Sequence, residues 1–453
     1  MIGKISELET ILNKKIDYES QYPTYANAKE WLDEWDFKNC KINLYSHKIH
    51  DYPAMFIPQL ARKIINEFTE EGDTILDIFS GSGTTIVESK ILNRNGIGID
   101  LNPLAILISK VKTTQIKKNT ILDSYKIFLK NYENMDNNFE IKKFSNINFW
   151  FDTTVIKIFS KLYKVIEQFE NEDIKNLYKV AFSSIIRKLS YCKHSGFKMH
   201  KDKKKEEIIY NENSILNDFH VSLLKVAKSV SDFSNITNKS TTTIITGDSR
   251  TCKIETDVDL IITSPPYGDS KTTVAYGQFS KLQSLWLGLI SENEKGHVEN
   301  IDKELLGGII KLIDIDDKII YKSQSLFQAI STMKYTLDLK EKKNINRIRD
   351  VLSFYIDLDK AMKQQTKYLK LNKYSIYIVA SRTVKNIQLN TDIIIAELGR
   401  KYGLELESIF YRAIVNKRMP YSVSATNIKG ETCPTMDRES IVVLKKTRLE
   451  TIQ

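Results

Sequence analysis

The period of the hydrophobic pattern changes along the chain, and those changes divide it. Before residue 45 the apolar positions, Trp31 and Trp35 among them, recur between charges at helical spacing, which predicts an amphipathic lead-in. From Gly72 the texture is strand-like: Asp73-Thr-Ile-Leu-Asp77 runs into a Gly/Ser turn, and Thr84 to Leu92 then follows a helical pattern. Gly96-Ile-Gly-Ile-Asp100 is a second short apolar run ending on an acid. Strand, glycine turn, helix, strand and acid in that order open a doubly wound parallel sheet, so the expected fold class is α/β and Rossmann-like.

The next strand is delayed. Residues 115–235 are rich in Lys, Asn and Glu with helical periodicity, as in Thr154-Val-Ile-Lys-Ile-Phe-Ser-Lys-Leu-Tyr163, and predict a large helical insertion. Strand texture returns at Thr242-Thr-Ile-Ile-Thr246 and Val258-Asp-Leu-Ile-Ile-Thr263. Phe279 to Leu289 and Thr391 to Arg400 are helix candidates, and Tyr374–Val379 and Ser440–Leu444 are the last clear strand runs. Residues 292–350 are polar and irregular in pattern. The expected organisation is a lead-in with the first part of the sheet domain over 1–114, the insertion over 115–235, and the rest of the sheet domain over 236–453, with 292–350 variable. No internal repeat is visible, and the tract Lys198 to Lys205 reads as a solvated loop.

Composition changes this picture modestly. The 42 % hydrophobic content suits a folded core, and a net charge of +10 with a pI near 9.0 favours a polyanionic partner, although a Lys/Ile/Asn-rich composition alone would produce the same excess. The four cysteines, Cys40, Cys192, Cys252 and Cys433, are far apart without metal-ligand spacing, so neither a disulfide framework nor a metal site is expected. The chain begins without a basic segment followed by a long apolar run, and it contains no long apolar stretch elsewhere. A cytoplasmic protein with no membrane association is expected.

Two strings carry chemistry. In Asp77-Ile-Phe-Ser-Gly-Ser-Gly-Thr-Thr85, Gly81 and Gly83 allow close backbone approach to a ligand, and the helix beginning near Thr84 points free N–H groups toward it. No Gly-Lys-Thr ending and no G-x-G-x-x-G spacing is present, which sets aside a Walker loop and demotes a dinucleotide. Asp77 and Asp100 fall at the ends of adjacent parallel strands, the rim where ligands of such sheets bind. An acid at the second position suits two ribose hydroxyls and one at the first a cationic amino group; S-adenosylmethionine offers both and carries no phosphate. Helix capping by the same acids is the competing reading.

The second string is Thr263-Ser-Pro-Pro-Tyr267. Pro265 and Pro266 lack N–H groups and fix φ, so the turn is stiff and presents carbonyls. A ring-bound primary amine needs two acceptors, and the Ser264 hydroxyl and Pro265 carbonyl supply them. Tyr267 would stack on the ring. Pulling on both amine hydrogens localises the nitrogen lone pair for attack on a methyl donor. The chain has no Pro-Cys pair, which a covalent route to a ring carbon would need. A plain strand-to-loop turn is the competing reading of this string.

With these residues in place the chain resembles the DNA amino-methyltransferases, which methylate cytosine N4 or adenine N6 using S-adenosylmethionine. His50-Asp-Tyr-Pro-Ala-Met-Phe-Ile-Pro58 resembles the segment before the glycine motif, Gly98-Ile-Asp100-Leu-Asn-Pro103 the ribose-binding strand end, and Gly247-Asp248-Ser-Arg250 the acid that meets the adenine. Tyr276 through Leu289 resembles the helix after the catalytic motif. The resemblance implies cofactor contacts from Phe56, Pro58, Asp77, Phe79, Gly81, Gly83, Thr84, Asp100, Asn102 and Asp248, and catalysis by Ser264, Pro265, Pro266 and Tyr267. A Ser at the first clamp position implies the cytosine-N4 members more than the adenine-N6 members. It implies double-stranded DNA as partner, a restriction–modification or defence setting with a possible endonuclease, and target recognition from the insertion, from 292–350, or from both. An RNA or protein-glutamine methyltransferase and a non-catalytic DNA-binding subunit are the alternatives.

Three basic residues are singled out for nucleic acid. Arg187, near Ser190, Lys193 and His194, is read first as part of a solvated helical face and second as a phosphate or base contact. Arg412 and Arg418 flank a basic loop before Pro420 and are expected to touch the DNA backbone. His50 is read as structural.

Overall fold

The computed structural model describes residues 3–14, 35–37, 40–136, 138–193, 196–268, 274–290, 297–308, 313–414, 422–423, 433–434 and 438–448. Its centre is a seven-stranded sheet: β1 Thr74–Asp77, β2 Asn95–Asp100, β3 Thr242–Thr246, β4 Val258–Thr263, β5 Leu369–Val379, β6 Leu404–Ala413 and β7 Arg438–Lys446. The spatial order is β3-β2-β1-β4-β5-β7-β6. Pairing is parallel from β3 to β5, and β7 runs antiparallel between β5 and β6. The order reverses between β1 and β4, and that switch point opens a crevice at the carboxyl ends of the strands.

Alternation along the central strands explains the two covered faces. Leu76, Ile261 and Tyr377 point to one side, under helices Lys342–Thr366 and Thr391–Arg400. Ile75, Leu260, Ile262, Ile376 and Ile378 point to the other, under helix Pro58–Phe68 and Trp35, whose ring stacks on Phe410 at 5.3 Å. Trp31 lies outside the described residues.

Residues 115–235 fold chiefly as helices Lys118–Asn134, Thr153–Glu167, Glu172–Ile186 and Glu212–Phe233. They share one continuous core with helix Ile5–Asn13, helix Pro103–Thr113 and helix Tyr276–Trp286. At its centre the fully buried Trp286 ring meets Phe144, Phe151 and Phe159 nearly edge-on, with ring centres 5.5, 5.6 and 5.2 Å away. Such edge-to-face packing fixes orientation as well as burying area. The block is thereby bolted to the helix that follows the Pro-Pro turn.

The irregular pattern over 292–350 conceals ordered structure. The 25-residue helix Lys342–Thr366 packs on the sheet, and helix Gln324–Thr336 joins the same core against helix Thr391–Arg400. The charges hide an apolar stripe, Ile348, Val351, Leu352, Tyr355, Leu358 and Met362, at helical spacing. Helix His297–Glu304 has a second role, because Asp302 accepts from the backbone N–H of Gly277 at 2.8 Å and of Gln278 at 3.0 Å. It caps the first turn of helix Tyr276–Trp286 from outside. Asp302→Ala is expected to cost ~1 kcal/mol in equilibrium denaturation; an unchanged midpoint would show that the cap is idle.

Lys205, in the tract expected to be a solvated loop, donates to the carbonyls of Lys188, Ser190 and Cys192 at 2.8–2.9 Å and folds the segment after Ile186 back on itself. Cys40, Cys192 and Cys252 are free thiols, and no cluster of metal-ligating side chains occurs among the described residues. No helix among them is long and apolar enough to cross a membrane.

Candidate active site

The crevice at the switch point is an open cavity. Its floor is the glycine turn after β1. Gly81 sits at φ +50° and Gly83 at φ +83°, angles that side chains resist, and the Gly83 N–H closes the turn on the Ser80 carbonyl at 2.8 Å. A Cβ on Gly83 would strike the Ser109 hydroxyl at 2.1 Å, so this glycine lets helix Pro103–Thr113 approach. Beneath the turn the buried Lys112 amine donates to Ser82 at 3.1 Å, and burial lowers its pKa to about 7.

Asp100, at the end of β2, accepts from the Gly81 N–H at 2.9 Å and the Asn102 N–H at 2.8 Å, and burial raises its pKa. Each oxygen keeps a lone pair for a further donor in the cavity. Asn102 caps the following helix through Leu104 and donates to Ser280 at 3.0 Å. Asp248, after β3, is gripped by the Arg250 side chain at 2.6–3.0 Å, and Arg250 also meets Asp357 at 3.0 Å. Burial pushes the Asp248 pKa up, but the Arg250 bonds and charge outweigh it and the net shift is downward.

Asp77 has a different position. It accepts from Thr85 and Thr263 hydroxyls at 2.7 Å each and from the Phe79 N–H at 3.1 Å, so it ties β1 to β4 and to the helix after the glycine turn. Burial raises its pKa from 3.8 to about 6. The unfolded chain releases this proton at lower pH than the fold does. Asp77 therefore contributes its full stability below pH 3.8, loses it as pH rises to about 6, and stays flat above. Asp77→Asn, which has no proton to lose, should gain melting temperature relative to the wild type across that interval; parallel curves would refute the shift.

Aromatic surfaces complete the cavity. Phe56, Phe79, Tyr52 and Tyr276 line it, and Tyr52 stacks on Tyr276 with ring centres 6.1 Å apart. Leu305 and Leu306 close one side after helix His297–Glu304. Ser264 and Pro266, just after β4, also line the cavity. Tyr267 donates its hydroxyl to Glu439 at 2.8 Å and shares a hydrogen bond with the Ser264 side chain, and burial together with the carboxylate raises the phenol pKa.

The donor set fits a nucleoside without phosphates. Acids rather than Lys or Arg stand at the rim, the one guanidinium there is neutralised by two aspartates, and flat rings border the space. A family profile described as DNA methylase matches residues 4–111. Over 96 % of its length the chain is 35 % identical to the type II methyltransferase M.MvaI of Kocuria varians, of which it covers 96 %. The chain belongs to the type II methyltransferases. Type II methyltransferase M.MjaII of Methanocaldococcus jannaschii is 28 % identical over 38 % of this chain and 34 % of its own. Type II methyltransferase M.BsoBI of Geobacillus stearothermophilus is 26 % identical over 45 % and 37 %. S-adenosylmethionine is the cofactor of this methyltransferase.

Of the residues named from the sequence of this methyltransferase, Phe56, Asp77, Phe79, Gly81, Thr84, Asp100, Asn102, Asp248, Ser264 and Pro266 meet around one cavity. Pro58 does not line it: it opens helix Pro58–Phe68, where a missing N–H costs nothing. Gly83, Pro265 and Tyr267 adjoin lining residues in the chain but do not line the cavity themselves.

The basic residues depart from expectation. Arg187 is buried, its guanidinium bonded to the Gly196 and Lys198 carbonyls at 2.6 and 3.2 Å and lying over the Phe279 ring. It shapes a loop and is not on a solvated face. Arg412 is buried too, paired with Glu439 and donating to the Trp35 carbonyl at 2.9 Å, which leaves no surface for a phosphate. Arg418 lies outside the described residues. His50 is buried, and burial lowers its pKa to about 4, so it is uncharged at neutral pH.

Sequence reasoning missed Tyr52, Leu305, Leu306 and Glu439. Tyr52 was legible as an aromatic inside the segment before Pro58. Nothing local marks Glu439, whose relevance arises only from the antiparallel placement of β7.

Proposed function

We propose that this DNA methyltransferase transfers the methyl group of S-adenosylmethionine to the exocyclic N4 of a cytosine in double-stranded DNA, after the base leaves the helix, within a restriction–modification system. The observation that carries the reading is that Ser264 and Pro266 share one cavity with the glycine turn and Asp100. Amine clamp and cofactor cradle therefore open on the same space. Ser264 at the first clamp position supports cytosine over adenine.

The bound cofactor supplies an electrophilic methyl group, so the protein needs no covalent nucleophile. Asp100 and Asp248 offer acceptors to hydroxyl and amine groups, and Phe56, Phe79 and Tyr52 offer faces to a purine. The Ser264 hydroxyl and Pro265 carbonyl accept the two amine hydrogens and localise the lone pair along the line of attack. The two prolines keep that pair of acceptors in place, since their φ angles are fixed. Closing the base between Tyr267 and the clamp excludes water from the attacking nitrogen.

Nucleoside analysis of DNA incubated with the protein and labelled cofactor is the test. Labelled N4-methylcytosine is the expected product. N6-methyladenine would reassign the base, and labelled RNA with unlabelled DNA would refute the DNA reading.

A further inference from the structure

Tyr267 lies in a loop with little to fix it. It follows two residues that cannot donate backbone hydrogen bonds, and β4 has already ended at Thr263. Its ring must be located by side-chain contacts, and among the described residues its hydroxyl meets two: it donates to Glu439 Oε1 at 2.8 Å, and it shares a hydrogen bond with the Ser264 side chain. Glu439 stands on β7, beyond β5, so the bond crosses the top of a whole strand to reach the catalytic loop.

Glu439 is itself held. Arg412 is its direct partner across the β6–β7 ladder and pairs with its other oxygen. The Arg412 side chain is 2 % exposed. It donates from Nε to the Trp35 carbonyl at 2.9 Å, while the neighbouring Ala413 N–H donates to Asp36 Oδ1 at 2.7 Å. The guanidinium and the phenol take different oxygens of the carboxylate, so each contact braces the other and neither displaces it. The row Trp35, Arg412, Glu439, Tyr267 thus runs unbroken from the N-terminal segment to the clamp.

We propose that Glu439 and Arg412 are positioning residues that hold the Tyr267 ring in register with the target base through the phenol hydroxyl. The proposal rests on the reading that Tyr267 faces that base. The hydroxyl does no chemistry; it is a tether. A ring freed from it keeps its area and loses its angle, and misplacement on the ångström scale is enough to slow a reaction that depends on alignment.

Tyr267→Phe carries the test, because it removes one oxygen and disturbs no packing. On DNA found to be methylated, turnover should fall ~10-fold or more, with cofactor affinity unchanged. A fluorescent cytosine analogue at the target position should lose part of its flipped-base signal. Glu439→Ala should lose activity and signal in the same direction, and the double variant should be no worse than Tyr267→Phe alone, since Glu439 acts only through that hydroxyl. Wild-type turnover and fluorescence in Tyr267→Phe, or additive losses in the double variant, would overturn the proposal. If Glu439→Ala does not fold, Tyr267→Phe decides alone. Tyr267→Ala separates the two readings: if it is inactive while Tyr267→Phe is fully active, the tether fails and the clamp stands, whereas full activity of Tyr267→Ala overturns both.

Discussion

Ser264→Ala should lower the turnover of methyl transfer by ~10²–10³-fold, the usual cost of removing one aligned polar group from a reacting centre. Cofactor affinity should stay unchanged. The split follows from placement. Ser264 follows β4, two strands away from β2 and Asp100, and no side-chain bond joins it to Asp100 or the glycine turn among the described contacts. Alanine leaves the two prolines and the Thr263–Asp77 bond untouched, so the loop keeps its path. Single-turnover rates at saturating cofactor, beside a calorimetric titration of the cofactor alone, measure both halves. A variant that turns over normally would place the chemistry elsewhere, and one that loses cofactor binding equally would make Ser264 a structural residue.

Asp100→Ala should give the opposite pattern, a loss of cofactor affinity of ~10²-fold or more. A hydrogen bond to a charged acceptor contributes ~1.5–3 kcal/mol, and a carboxylate facing two ribose hydroxyls forms two of them. The turn also depends on it, since Asp100 fixes the N–H groups of Gly81 and Asn102. Asp100→Asn retains one acceptor and should fall between the two. Turnover at saturating cofactor should recover in both variants. Failure to recover would show that Asp100 shapes the reacting centre as well as the cradle.

That the acids proposed for the cofactor share one rim was legible because they follow strand ends that are themselves legible. Asp77, Asp100 and Asp248 each stop an apolar run, and a parallel sheet places successive run ends on one rim. The roles within that rim were less legible. Asp77 looks like Asp100 in the sequence, but only in the fold do Thr85 and Thr263 converge on it and make it a clasp. Arg187 and Arg412 read as surface cations because charge and loop composition are local signals, while the carbonyls and the carboxylate that bury them come from distant segments. Strand β6, Leu404–Ala413, was missed for a related reason. Its alternation is blurred by partly exposed positions at the sheet edge, so neither face reads as apolar.

Helix Tyr276–Trp286 belongs to two parts of the molecule at once. Its first residue lines the candidate cavity and its last is the hub of the aromatic nest in the helical block. Eleven residues of helix span ~16 Å. It is a short rigid lever with no joint between its ends. The wall of the cavity and the centre of the aromatic nest are therefore set about three turns apart on one element.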